Sequence, residues 1–198
     1  MCAIKKMAIL FGALAASGFS TMTIAAAALP TGWYIEGNVG TTRESSTLYG
    51  PGISMTNNGL GWNVNLGYKF IPFFAAEIGY TNYANGSGKY KGVKVVKDSH
   101  YSVDLAGKAI LPMFDTGFDF FAKLGLSRLQ GDVSQQNGGN GTTVNTGTHT
   151  DTSWYAGLGA EYSFVPNMAV NLQWQRANGK NATGTMDLYS AGLSYMFG

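Results

Sequence analysis

The sequence predicts an all-β protein, an eight-stranded antiparallel up-and-down transmembrane β-barrel. Three observations carry this. Eight segments alternate in residue character at period two, which places successive side chains on opposite faces of a strand. Their connections alternate short and long, the pattern of an outer-membrane barrel. Aromatic and aliphatic residues crowd one face, while Gly, Ser, Asn and the charged residues share the other.

Ahead of the strands, residues 1–28 carry the three parts of a secretory signal. Lys5 and Lys6 form the positive region, and Met7–Phe19 an apolar core of 13 residues. Ala25–Ala28 then offers cleavage sites, so the barrel is expected over 29–198. The apolar core is shorter than the about 20 residues a membrane helix needs, and no later apolar run approaches that length. Cys2 precedes the apolar core and is the only cysteine, which excludes a disulfide framework and a cysteine zinc site. Removing Lys5 and Lys6 from the 13 Lys+Arg leaves 11 against 11 Asp+Glu, a balance that argues against a nucleic-acid partner.

The strands follow in order. Trp33, Ile35 and Val39 oppose Tyr34, Glu36 and Asn38. The clearest segment is 60–70, where Leu60, Trp62, Val64, Leu66, Tyr68 and Phe70 oppose Gly61, Asn63, Asn65, Gly67 and Lys69. Phe74, Ile78 and Tyr80 oppose Ala75, Glu77 and Thr81; Tyr101, Val103 and Leu105 oppose Ser102, Asp104 and Lys108. Phe118, Phe120 and Leu124 oppose Asp119, Lys123 and Ser127; Trp154, Leu158 and Tyr162 oppose Ser153, Gly157 and Glu161. Met168, Val170, Leu172 and Trp174 oppose Asn171, Gln173 and Gln175; Tyr189, Leu193 and Tyr195 oppose Ser190, Gly192 and Ser194. Short turns fall at Ile71-Pro72, Pro112–Gly117 and Val165–Asn167, and long polar connections near 41–59, 84–100, 129–152 and 177–186. An even strand number places both chain ends on the short-turn, periplasmic side.

Side-chain size and charge decide which face looks outward. An eight-stranded barrel has room inside for side chains or at most a small ligand. A soluble barrel of the lipocalin or streptavidin kind would have to hold the aromatic set inside and leave Glu77, Lys108, Lys123 and Glu161 in mid-strand on the outside. With the aromatic face outward, the charges pair inside and the aromatics form girdles at the strand ends. In hydrocarbon every backbone donor and acceptor needs a partner, so the first and last strands must close the wall.

Six segments resemble, in order, the N-terminal transmembrane domain of the outer membrane protein A (OmpA) family: GWYIEGNVG (32–40), GYKFIPFFAAEIGY (67–80), VDLAGKAILP (103–112), FAKLGLSRL (121–129), GLGAEYSFVPNMAVNLQWQ (157–175) and AGLSYMFG (191–198). The resemblance implies a monomeric barrel of the bacterial outer membrane, surrounded by lipid and lipopolysaccharide. It makes Tyr195-x-Phe197 the signal read by the barrel-insertion machinery. It also places Glu77, Lys108, Lys123 and Glu161 in an interior salt-bridge network proposed to gate a narrow pore. This chain departs from the family at Asn171, where the family has arginine, and at Gln173, where it has glutamate. The peptidoglycan-binding domain that follows the barrel in OmpA is not expected of residues 29–198. The family's single-domain members, several of them adhesion or immune-evasion proteins, are the nearer analogy.

Parity alone puts Glu36, Asn38, Glu77, Lys108, Lys123, Glu161 and Asn171 inside at similar depth. Buried charges need partners, so Glu77 and Glu161 are expected to pair with Lys108 and Lys123. With Asp104, Asp119 and Lys69, interior acids outnumber bases, which makes any current weakly cation-selective. Outside the wall, Lys89, Lys91, Lys94 and Lys97 offer a clamp for anionic lipid or host glycan. If the strand holding Val103 runs upward unbroken, Lys89, Lys91 and Lys97 share its outward face. The segment 135–150 is polar and of low complexity, and its Gly-Gly-Asn-Gly lacks the helix and lysine of a phosphate cradle.

His100 and His149 are the only imidazoles. His149 has no ligand cluster around it in sequence, and neither metal nor cofactor is expected. His100-x-Ser102 shares one face and is reminiscent of lipid A deacylases, but parity turns the pair inward. The reading is therefore a non-enzymatic barrel with structural and surface-interaction roles through four long loops. A narrow gated ion pore is the alternative, and a lipid A-modifying enzyme the outside one.

Overall fold

The computed structural model describes residues 31–45, 54–56, 58–84, 86–90, 93–113, 116–135, 147–179 and 184–197. Residues 1–28, read above as a secretory signal, and Lys91 lie outside them. The described residues form ten strands: β1 (Gly32–Ser45), β2 (Ser54–Thr56), β3 (Asn58–Ile71), β4 (Phe74–Asn82), β5 (Gly86–Tyr90), β6 (Val93–Met113), β7 (Phe118–Gln135), β8 (Gly147–Val165), β9 (Met168–Ala177) and β10 (Thr185–Met196). All pairs are antiparallel. Eight strands close a barrel in the order β1, β3, β4, β6, β7, β8, β9, β10, with β10 returning to β1. Closure is what the alternation demanded, because an open edge in hydrocarbon would leave backbone groups unpaired.

The two additional strands extend the wall at the long-loop end. β5 pairs with both β2 and the upper part of β6. Segments read from sequence as loops are thus partly strand. β6 begins at Val93, β7 reaches Gln135, and β8 starts at Gly147. Their polar composition hid them, since alternation is legible only where one face is greasy. His149 accordingly lies on β8, opposite Gly131, and not in a loop.

At the other end, β3 and β4 join through a tight turn at Pro72 and Phe73, and β8 and β9 through Pro166 and Asn167. The β6–β7 connection, residues 114–117, ends at Gly117, whose φ is 75°. Its carbonyl accepts from Ser163 N at 2.8 Å, tying this turn to the next stave.

The outward face matches the alternation. Leu60, Leu105, Leu124, Leu126 and Leu172 are all more than three-fifths exposed. Glu36, Asn63, Asn65, Glu77, Lys108, Lys123 and Gln175 are buried in the lumen. A polar interior inside an apolar exterior is the inverse of a soluble domain and suits a wall bathed in acyl chains. The lumen is not lined by small residues alone. Tyr83, Leu129, Tyr155, Met186 and Leu188 form a buried apolar cluster towards the long-loop end.

Candidate functional site

The interior charge network is built on Glu36, which lies on β1 and is 0% exposed. Its Oε1 accepts from Asn38 Nδ2 (2.9 Å), Asn65 Nδ2 (3.0 Å), Gln173 Nε2 (3.1 Å) and Lys123 Nζ (3.3 Å). Its Oε2 accepts from Lys108 Nζ at 3.3 Å. A second carboxylate, Glu77 on β4, meets the same two ammonium groups: Oε2 is 2.7 Å from Lys123 Nζ and Oε1 is 3.3 Å from Lys108 Nζ. Two acids and two bases thus form a closed quartet across β1, β4, β6 and β7, so neither buried lysine faces a single partner. Multiple pairing of this kind is what offsets the desolvation of buried charge.

Aromatic rings complete the packing. Tyr34 Oη donates to Glu77 Oε1 at 2.6 Å. The Phe121 ring lies 4.3 Å from Lys108 Nζ and 5.2 Å from Lys123 Nζ, close enough for cation–π attraction to both. Gly67 and Gly159 make room for these rings: a Cβ at Gly67 would meet Tyr34, and one at Gly159 would meet Phe121. Neither ring was singled out from the sequence. Both share the parity of an adjacent lumen charge (Tyr34 with Glu36, Phe121 with Lys123), and that parity was the available signal.

Glu161 makes one of its two expected ion pairs, with Lys108, and not the other. Lys108 reaches it only at 3.8 Å, and its side chain is 18% exposed. No ion pair joins Glu161 to Lys123 among the described residues; Glu36 takes that place. The reason is position. Glu161 sits nearer the short-turn end, facing Asp119 on β7 and Asn171 on β9 in register. Asn171 is buried, with no hydrogen-bond partner for either amide atom among the described residues. Gln173, by contrast, joins the network directly.

Above the quartet the polar chain continues. Asn38 donates to Asn63 Oδ1 (2.7 Å), Asn63 to Gln175 Oε1 (2.7 Å), and Gln175 to Thr81 Oγ1 (2.9 Å). Tyr155 Oη also donates to Gln175 Oε1, at 3.2 Å, where the apolar cluster begins. His100 and Ser102 are buried inside, as parity required, and Ser102 Oγ lies 3.3 Å from Tyr83 Oη.

Of the lysines, Lys89 lies on β5 and Lys94 and Lys97 on β6. The β6 strand does run unbroken, but Lys89 is not on it. Lys89 pairs in register with Lys94, next to a register shift at Gly88/Lys89, so simple parity from β6 does not extend to it. At the chain's end, Tyr195 and Phe197 are exposed on the outer wall with ring centroids 5.2 Å apart.

The model of the OmpA-like transmembrane domain matches residues 30–198. The chain belongs to that family. This OmpA-like barrel is 30% identical to outer membrane protein P5 of Haemophilus influenzae over 180 residues, covering 82% of this chain and 47% of that protein. It is 31% identical to outer membrane protein A of Shigella flexneri over 204 residues, covering 98% and 56% respectively. The chain therefore spans about half the length of these curated relatives. Among solved structures, the OmpA-like barrel is similar to Neisserial surface protein A (TM-score 0.59, 16% identity, 83% of this chain and 97% of that one). It is also similar to Ail of Yersinia pestis, solved in complex with the heparin analogue sucrose octasulfate (TM-score 0.56, 13% identity, 84% and 99%). These likenesses show the fold: an outer-membrane β-barrel.

Proposed function

We propose that this protein is a non-enzymatic structural barrel whose lumen is filled and whose activity is confined to its outer surfaces. The supporting observation is the packed interior. The Glu36–Glu77–Lys108–Lys123 quartet closes the middle of the barrel, and Tyr83, Leu129, Tyr155 and Leu188 occupy the lumen above it. In this reading both termini are periplasmic, the chain is a monomer among lipopolysaccharide molecules, and Tyr195 and Phe197 are read by the insertion machinery.

Surface interaction then falls to the β5–β6 hairpin, an adhesin-like element whose lysines Lys89, Lys91, Lys94 and Lys97 meet a sulfated or otherwise anionic host glycan. Lys89 and Lys94 are cross-strand partners, a juxtaposition of like charge that an anion would relieve. Ail was solved with a sulfated sugar analogue. At this identity that likeness maps no residue onto this chain, so the lysines carry the reading. Heparin retention should fall when all four become glutamine; unchanged retention would sink the hairpin's role.

A second reading, a narrow gated cation-selective pore, is favoured by one contact. Lys108 Nζ faces Glu36, Glu77 and, at 3.8 Å, the partly exposed Glu161, a third partner lying towards the short-turn mouth. Planar-bilayer recordings separate the two. Silence at all voltages supports the filled barrel, and voltage-dependent cation current supports the gate.

A further inference from the structure

Beyond a band of exposed apolar side chains, the outer wall carries a charged rung. Arg43 on β1, Asp187 on β10 and Arg176 on β9 are consecutive register partners. Arg176 holds Asp187 in a two-pronged ion pair, Nε to Oδ1 at 2.7 Å and Nη2 to Oδ2 at 2.8 Å. Trp174 Nε1 donates to the same Oδ1 at 3.0 Å, and the Arg176 guanidinium lies 5.4 Å from the Trp174 ring. Asp187 is thereby buried and neutralised, while Arg43 is exposed. Two guanidiniums against one carboxylate leave a net positive charge on this face.

Immediately towards the short-turn end, the next rung is Thr41, Tyr189 and Trp174, and the next Val39, Ala191 and Leu172. These residues line an open groove of about 560 Å³ on the outer wall. Ala191 forms its floor, because the neighbouring side chains are larger. Tyr189 and Trp174 stand between the groove and the arginines, where amphipathic rings mark the boundary of hydrocarbon and headgroup. An apolar slot, an aromatic collar and a cationic cap follow one another along the strand direction.

We propose that this face binds one phosphorylated, multiply acylated glycolipid of the outer membrane, with an acyl chain in the groove and a phosphate at Arg43 and Arg176. The charge pattern selects this occupant. A zwitterionic lipid would leave the excess guanidinium uncompensated, and a second barrel would bring Arg43 against its own kind. Arg176, fixed by Asp187 and Trp174, serves as the preorganised half of the site, and Arg43 as the exposed half. The site lies on the barrel wall and is independent of the lysine hairpin.

The test is native mass spectrometry of the refolded full chain in detergent with lipid A, dephosphorylated lipid A or phosphatidylethanolamine added. Circular dichroism confirms that each variant is folded. Arg43→Gln should cut retained lipid A about fivefold, the loss of one cation at a membrane surface. It should leave dephosphorylated lipid A unchanged. Ala191→Trp, which fills the groove, should weaken both lipid A forms. Arg128→Gln removes an exposed outward arginine of β7, away from the groove, and should change nothing. Equal lipid A retention in wild type, Arg43→Gln and Ala191→Trp would overturn the proposal, as would dimers that disappear in Ala191→Trp.

Discussion

Gln173 Nε2 donates to Glu36 Oε1 at 3.1 Å, linking β9 to β1 through the centre of the lumen. An amide at this position lets Glu36 collect four donors on one oxygen. A carboxylate there, as the resembling family has, would set a like charge against the most buried acid of the barrel. The identity of residue 173 and the central role of Glu36 are therefore one feature.

Gln173→Glu should accordingly destabilise the barrel, by about 1–3 kcal/mol, as expected when a buried acceptor loses its donor. Asn171→Arg supplies Glu161 with a partner directly in register and places a cation near residue 173. The double variant should recover part of the loss. Urea unfolding of the four proteins in a double-mutant cycle measures the coupling. Strict additivity would show that residues 171 and 173 belong to separate environments.

Glu36→Gln and Glu161→Gln should differ sharply. The first removes a fully buried charge shared by Lys108 and Lys123 and should cost about 3–5 kcal/mol. The second removes a partly exposed group 3.8 Å from Lys108 and should cost less than about 1 kcal/mol. Thermal unfolding in the same detergent provides the comparison, and a larger loss at Glu161 would reverse the assignment of the centre.

The wall of this protein was legible in its sequence and the network only partly so. Period-two alternation placed Leu60 to Phe70 correctly because a strand has only two faces and hydrocarbon excludes polar residues from one of them. The same parity put Glu36, Glu77, Lys108 and Lys123 in the lumen. It could not say that Glu36 outranks Glu161, because depth depends on barrel stagger, which no single strand encodes. Phe121 is flanked by Phe120 and Ala122 and does not announce itself as a lumen residue; inside, a ring is tolerated where lysines face it and Gly159 leaves space. The short β2 and β5 were illegible for a related reason: SMT and GSGKY carry no apolar face for alternation to show.

Phe121→Ala tests whether the ring helps to fill the lumen. Removing it should cost about 3–5 kcal/mol, as other large buried aromatics do. It also takes away the surface on which both ammonium groups rest. If the wild-type barrel is silent in planar bilayers, Phe121→Ala should show the first measurable leak, whereas Phe121→Leu should stay closed. A silent Phe121→Ala barrel would place the seal entirely in the quartet and the apolar cluster above it.

Arginine substitution on the outer wall should reveal membrane depth. Leu124 is 67% exposed and lies in the middle of the apolar wall, one residue from lumen-facing Lys123. Leu60 is 73% exposed but sits near the long-loop end of β3, on the rung that holds Tyr189 and Trp174. Leu124→Arg should cost about 2–4 kcal/mol in lipid vesicles and Leu60→Arg about 0–1 kcal/mol, because the penalty falls towards the interface. In aqueous detergent, where the headgroup layer is close to every part of the wall, the gap should narrow. Equal penalties in vesicles would mean that the aromatic collar at Trp174 does not mark the membrane boundary, and the arginine rung beyond it would lose its placement among phosphates.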